Sequence, residues 1–302
     1  MNKIILTGAS GFVGLNLASF ILERKLGNIE RLSIRNQIVL PDGDVIIHLA
    51  GKAHDLKNAS NPQEYFDVNA NKTKELFDLF LKSDVKDFIY FSSVKAIADT
   101  VVGILDENAM PNPKTPYGQS KLQAEKYILS KKLPDGKRVF ILRPCMIHGP
   151  GNKGNLNLLY KIVKMGIPYP LGGFENKRSF LSIANLLFTI ERILKDSNIP
   201  GGQYNVSDDQ PLSTNEVIGI IGKAAKIKPQ IWNISPAFIK VLATIGDKVG
   251  LPLNSERLKK LTENYMVSNQ KLKDVLMIDN FPVTAEIGLL DTIGSFEQIR
   301  KK

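Results

Sequence analysis

An α/β protein built on a doubly wound parallel sheet is expected from three features of the chain. Short apolar runs alternate with amphipathic helical segments through its first half, the pattern of strands joined by crossover helices. The runs "KIILT", "DVIIHLAG" and "KDFIYFSS" are apolar almost throughout rather than alternating, as strands buried on both faces are. The first of them empties into Gly8, Gly11 and Gly14 directly ahead of a helical stretch.

In chain order, "KIILT" is a short strand ended by glycine, and "FVGLNLASFILER" then places Phe12, Leu15, Leu17, Phe20 and Ile21 largely on one helical stripe. "RLSIR" and "DVIIHLAG" follow as strands. Asn61-Pro62 opens a helix expected to run through "QEYFDVNANKTKELFDLFLKS". "KDFIYFSS" is a strand, "SKLQAEKYILSKK" a helix and "RVFILRP" a strand. Beyond Pro150 glycines, prolines and short strands such as "GQYNVS" alternate with the helical segments "SIANLLFTIERILKD", "STNEVIGIIGKAAK" and "TAEIGLLDTIGSFEQIR". Ser213 and Glu216 carry the spacing of a capping box for the second of these. Residues 1–150 are therefore expected to form the sheet domain. Residues 151–302 are expected to form a smaller C-terminal α/β lobe, with room to return strands or helices to the first.

Composition narrows the function classes. With 302 residues, 43% of them hydrophobic and 23% charged, the chain has ordinary globular composition and enough length for a large core. No apolar run approaches the roughly 18–20 residues that span a bilayer. The start does not read as a secretory leader. A single cysteine, Cys145, excludes an internal disulfide and suits a reducing compartment, so a cytoplasmic location is expected. The net charge of +10 would suit nucleic acid, a phospholipid surface or a phosphate-bearing small substrate. The basic residues are scattered, and neither aromatic-interleaved basic stretches nor zinc-ligand spacing accompanies them. A solvated basic surface is the plainer reading, and no nucleic-acid partner is expected.

The glycines raise a chemical question. A dinucleotide pyrophosphate sits well over backbone N–H groups at a helix N-terminus, and glycine is needed where a Cβ would meet phosphate or block helix–strand packing. G-x-x-G-x-x-G alone is a weak signal, because glycine-rich strand–helix turns are common. Its companion is "PYGQSKLQAEK", where Tyr117 and Lys121 stand four apart and project from one helix face. A lysine beside a phenol lowers the phenol's pKa, and such a tyrosine can trade a proton with an alcohol or carbonyl while hydride moves on a nicotinamide. Tyr-x-x-x-Lys also occurs by chance on many helices. The upstream glycines and the "FSS" on the intervening strand end decide for the chemistry.

With these residues in view, the chain resembles the extended short-chain dehydrogenase/reductases, the NAD-dependent epimerase/dehydratase group acting on nucleotide sugars. The resemblance covers nearly the whole chain through "TGASGFVG", "DVIIHLAG", "VNANKT", "FIYFSS", "PYGQSK" and "LRPCMIHGPG", in the family's order. It implies a Rossmann-like doubly wound parallel sheet with a smaller C-terminal α/β substrate lobe. It also implies Ser93, Tyr117 and Lys121 as the catalytic set, with Lys121 both tuning Tyr117 and holding the nicotinamide ribose. Cofactor contacts are implied for Gly8, Ser10, Gly11, Phe12 and Gly14, for Leu49, Ala50, Gly51 and Lys52, and for Tyr117 and Lys121. Substrate contacts are implied for Ser93, Asn69, Asn152, Asn155 and Arg178, the last on the diphosphate. His48 and His148 are expected to be core histidines, Cys145 to pack near a strand end, and His54 to be the one histidine worth watching.

One departure matters. Only eight residues separate Arg35 from Asp44, where the family places a strand, a helix and an adenine-contacting acidic motif. The acidic residue expected for the ribose 2′-OH is replaced by Arg35, which suits a 2′-phosphate and tilts the NAD(P) cofactor toward NADP(H). The leading expectation is a nucleotide-sugar oxidoreductase acting at C4, reducing a UDP-4-keto-6-deoxy-hexosamine for surface polysaccharide, with a homodimer as a candidate assembly. A UDP-hexose 4-epimerase with bound NAD is the alternative. A non-catalytic NAD(P)-binding regulator is a further alternative, against which stands the complete Ser-Tyr-Lys set. A 4,6-dehydratase would carry Asp-Glu after its catalytic threonine, and "SSVKA" has neither.

Overall fold

Six parallel strands make the central sheet: β1 (Asn2–Thr7), β2 (Gly27–Leu32), β3 (Val45–His48), β4 (Asp87–Phe91), β5 (Arg138–Pro144) and β6 (Gly202–Val206). The computed structural model describes residues 2–52, 61–152, 155–249 and 254–298. The spatial order is β2-β1-β3-β4-β5-β6. The chain thus steps outward from β1 to β2, then returns across β1 to β3, where Ile4 pairs with Val45 and Thr7 with His48. The carboxyl ends of β1 and β3 diverge at this reversal, the place where open α/β sheets bind ligands.

Strand side chains alternate, so each strand feeds both faces. Ile4, Leu6, Val45, Ile47, Ile89, Phe91 and Leu142 pack with the helices Phe12–Glu23 and Ile183–Lys195. Ile5, Ile46, Phe88, Tyr90 and Ile141 pack on the other side with Leu76, Phe77 and Phe80 of Lys72–Lys82 and with Ala124 and Ile128 of Pro116–Leu129. Both layers are covered, which is why the strands read as continuous apolar runs.

Two elements differ from expectation. The second strand is Gly27–Leu32 rather than "RLSIR", so Arg35 lies beyond the strand end and is exposed. Between Leu32 and Val45 no further strand forms, and Ile34 and Ile38 drop into the core beside Ile5, Ile46 and Phe77. A short loop here covers sheet surface that a crossover helix would otherwise cover. The single helix expected after Asn61 is interrupted: Pro62–Tyr65 passes through a π-helical stretch, Phe66–Asn71, before Lys72–Lys82.

The C-terminal lobe has its own core of Leu156, Tyr160, Phe180, Val217, Ile221, Leu289 and Ile293. Its helix Thr214–Ala225 carries the expected capping box from Ser213 and Glu216. The sequence cut at 150 is crossed in space, because β6 and Ile183–Lys195 complete the central sheet.

Two ion pairs tie strands to their surroundings. Arg138 grips Asp87 through Nε and Nη2 at 2.8 and 2.7 Å at the start of β4 and β5. Near the other end of β5, Arg143 meets Glu125 of the Tyr117 helix through Nη2 at 2.7 Å and Nε at 3.1 Å, with side chains only 3% and 1% exposed. Removing one member of such a pair strands a buried charge, at a cost of about 3–5 kcal/mol. Arg143→Met should therefore lower stability by that order in urea unfolding. Arg143→Met combined with Glu125→Leu should recover a large part of the loss. A single variant as stable as the parent would show that the pair does not hold the helix to the sheet.

Candidate active site

The three glycines meet three different constraints. Gly8 adopts φ +68°, in the left-handed region, and a Cβ there would lie 2.6 Å from the Ala50 backbone nitrogen. Gly14 lies so close to the turn before it that a Cβ would sit 2.3 Å from the Gly8 carbonyl oxygen. Gly11 is different. Its Cβ would meet only the Gly8 carbonyl oxygen, at an ordinary 3.4 Å, and the residue is exposed. Protein packing requires the first and third glycines, whereas the second keeps the surface low at the start of Phe12–Glu23. No side chain caps that helix N-terminus. A low, uncapped helix start with its N–H groups outward fits a dinucleotide pyrophosphate. Ser10 is exposed on the same turn, and Phe12 lies against the loop after His148, 3.3 Å from where a Gly149 Cβ would be.

The loop after β3 forms the adjoining wall. Thr7 Oγ1 accepts from the Ala50 N–H at 3.1 Å and bonds His48 Nδ1 at 2.7 Å, while His48 Nε2 reaches Thr73 Oγ1 at 2.9 Å. His48 is thus the expected core histidine, and burial, with Lys121 nearby, lowers its pKa to about 3. Asn69 is fully buried on the π-helical stretch. Its Oδ1 accepts from the Lys52 N–H at 2.7 Å, and its Nδ2 donates to the Lys52 carbonyl and to Ser120 Oγ, each at 3.1 Å. Both ends of the amide hold the 49–52 loop and the Tyr117 helix together. Gly51 has to be small because a Cβ would lie 2.8 Å from Asn69 Oδ1 and 3.3 Å from Lys121 Nζ. Lys52 pairs with Glu64 and stands over the Tyr65 ring, 5.1 Å from its centroid.

Ser93, Tyr117 and Lys121 come together between β4 and the helix Pro116–Leu129. Of the two serines, Ser92 donates to Glu125, and Ser93 hydrogen-bonds Tyr117. The helix start is fixed by Pro116 in its first turn, by Thr115 Oγ1 accepting from the Gly118 N–H at 3.3 Å, and by Asp99, which receives the Lys114 and Thr115 N–H groups at 2.6 and 3.2 Å. Gly118 lets this start touch the Ser93 turn, since a Cβ would be 2.3 Å from the Lys95 carbonyl oxygen. Tyr65 packs edge-on against Tyr117, with ring centroids 6.3 Å apart. Neither Gly118 nor Tyr65 was singled out from sequence, although the glycine stands inside "PYGQSK".

Burial sets the electrostatics of Lys121 and Tyr117. The Lys121 ammonium donates to the Phe91 carbonyl at 2.7 Å, and burial lowers its pKa to about 8, with Glu125 opposing. Burial raises the Tyr117 phenol above its usual value, and the hydrogen bond to Ser93 offsets part of that rise.

Arg178 is half-buried in the C-terminal lobe, where its backbone pairs with Leu212 and Tyr265 and its guanidinium meets the Glu263 carbonyl and carboxylate at 3.2 and 3.4 Å. Asn152 Nδ2 donates to the Ile147 carbonyl at 3.3 Å within the loop after His148. The side chain of Asn155 and all of His54 lie outside the described residues. His148 is buried against Thr292, and Cys145 is buried with its thiol pushed up by burial.

Residues 4–207 match the NAD dependent epimerase/dehydratase family. A UDP-glucose 4-epimerase from Vibrio cholerae is 30% identical, covering 99% of this chain and 97% of that protein. The structure of RMD from Pseudomonas aeruginosa complexed with NADPH superposes with a TM-score of 0.72 at 22% identity, covering 98% of each chain. A UDP-N-acetylglucosamine 4-epimerase from Bacillus cereus superposes with a TM-score of 0.74 at 19% identity over the full length of both. With the glycine turn and the Ser-Tyr-Lys cluster on one sheet edge, the chain belongs to the NAD-dependent epimerase/dehydratase family, the nucleotide-sugar epimerases and reductases of the extended short-chain dehydrogenase/reductase type.

Proposed function

We propose that the protein is an NAD(P)H-dependent reductase acting at C4 of a UDP-linked 4-keto-6-deoxy-hexosamine in surface-polysaccharide synthesis. The observation that carries a C4 oxidoreductase is the meeting of Ser93, Tyr117 and Lys121 at the carboxyl end of the sheet that also carries the glycine turn. The nicotinamide supplies hydride when bound. Ser93 would hold the carbonyl oxygen, and Tyr117 would give that oxygen its phenolic proton. Burial keeps that phenol protonated, so it has the proton to give. Lys121, fixed between the Phe91 carbonyl and Gly51, would grip the ribose. The short segment after Leu32 leaves little chain to enclose an adenine, which suits a cofactor exchanged at every turnover.

A 4-epimerase is the second reading, favoured by the likeness to the Vibrio cholerae protein. It would oxidise and re-reduce the same sugar with a retained cofactor. The two readings separate by measurement. A reductase purifies largely free of cofactor and consumes added NAD(P)H one-for-one with a UDP-4-keto-6-deoxy sugar. Retained NAD⁺, with interconversion of UDP-hexoses and no added cofactor, would establish the epimerase instead.

Tyr117→Phe should cut turnover on the order of 10²–10⁴-fold, the usual worth of a positioned proton donor, at nearly unchanged cofactor affinity. Lys121→Met should weaken both. Near-parent turnover in Tyr117→Phe would remove that residue from the chemistry.

Arg35, exposed past the end of β2, should favour NADPH over NADH through its charge. Arg35→Ala should narrow the preference, most clearly at low salt, where exposed pairs are least screened. Fluorescence titration showing tighter NADH binding by the parent would end this assignment.

A further inference from the structure

The turn that carries Ser93 carries a cation as well. Lys95 sits on the single 3₁₀ turn Val94–Ala96, and its N–H donates to Ser93 Oγ at 3.2 Å. The same residue's carbonyl is pressed against Gly118, next to Tyr117. Its backbone is therefore bonded to the Ser93 hydroxyl and packed on the first turn of the helix that carries Tyr117.

The ammonium is half-buried, and its partners are uncharged. It donates to the Asp99 carbonyl at 2.8 Å and stands 4.2 Å from the centroid of the Tyr265 ring. No carboxylate among the described residues lies within 4.0 Å of it. The two carboxylates that influence it have other work. Asp99 holds the N–H groups of Lys114 and Thr115 and the Thr115 hydroxyl, and Glu263 meets Arg178. Arg178 is close enough to oppose the Lys95 charge. Two half-buried cations thus stand near each other at the seam between the sheet and the C-terminal lobe, and neither Asp99 nor Glu263 closes an ion pair with Lys95. Lysine is seldom buried without a counter-ion, because the desolvated charge costs stability. An oxyanion arriving from solution would supply what the fold leaves out.

We propose that Lys95 is a substrate-binding, specificity-determining residue that takes an oxyanion of the nucleotide sugar, between Ser93 and Arg178. This rests on the nucleotide-sugar reading above. The oxyanion has two sources with the same chemistry: the sugar-proximal phosphate, which the proposed substrate carries, or a ring carboxylate, which would make the nucleotide sugar a uronate rather than a 6-deoxy sugar.

Calorimetric binding of UDP, UDP-glucose and UDP-glucuronate to the full-length parent, Lys95→Met and Lys95→Arg distinguishes them. If phosphate is the partner, Lys95→Met weakens all three on the order of tenfold or more, the scale of a charge-assisted hydrogen bond, and Lys95→Arg restores most of the loss. If a carboxylate is the partner, the parent prefers UDP-glucuronate over UDP-glucose and Lys95→Met erases only that margin. Parent-like affinity of Lys95→Met for all three ligands overturns the proposal. So does an equal loss in both variants accompanied by a fall in melting temperature, which would mark a structural role. A parent that binds none of the three would remove the nucleotide-sugar reading, and this role with it.

Discussion

A buried carboxylate and guanidinium hold the reactive helix to the sheet. Glu125 lies two turns beyond Tyr117 and one beyond Lys121, and Arg143 closes β5. Their bidentate contact fixes the helix along its length and sets its height against the strand ends. Glu125 also takes the Ser92 hydroxyl, while Arg143 receives further support from Gln203 on β6. One ion pair thus links β4, β5, β6 and the helix. By engaging Ser92 it leaves the second serine for Tyr117.

Around that anchor, close approach does what hydrogen bonds alone could not. Gly118 brings the helix start onto the Ser93 turn, Gly8 brings the first loop onto Ala50, and Gly51 gives Asn69 and Lys121 room to converge. Each contact needs the missing Cβ. The result places the open glycine turn, the Lys121 ammonium and the Tyr117 phenol at one end of the sheet. Burial then sets the charges: it holds Lys121 near 8 and Tyr117 above its usual value. Low-dielectric packing favours the neutral form of each group, while the Glu125 charge at Lys121 and Ser93 at Tyr117 shift the balance back.

Much of this was legible in the chain. Continuous apolar runs marked β1, β3, β4 and β5, because a strand covered on both faces has no polar side to show. The glycine spacing and the Tyr-x-x-x-Lys step marked the two halves of the site. Boundaries set by packing were not legible. The second strand starts at Gly27 and stops at Leu32, because its pairing with β1 runs from Asn2 to Thr7. The π-helical stretch that turns Asn69 inward has no signature in "FDVNAN". Polar networks were likewise hidden: nothing in the spacing of Thr7, His48 and Thr73 announces that they form one chain of hydrogen bonds.

By itself, the sequence determined the parallel α/β sheet, the uncapped glycine turn and the residue types available for proton transfer. Those follow from periodicity and from local chemistry, which neighbouring residues carry with them. Only the tertiary structure decided that Ser92 is engaged by Glu125, that Asn69 braces a loop, that Ile34 and Ile38 take the place of a crossover helix, and that Lys95 stands beside Arg178 without an ion pair. Each depends on groups distant in the chain arriving at one place, where burial and crowding, rather than residue type, assign the partners.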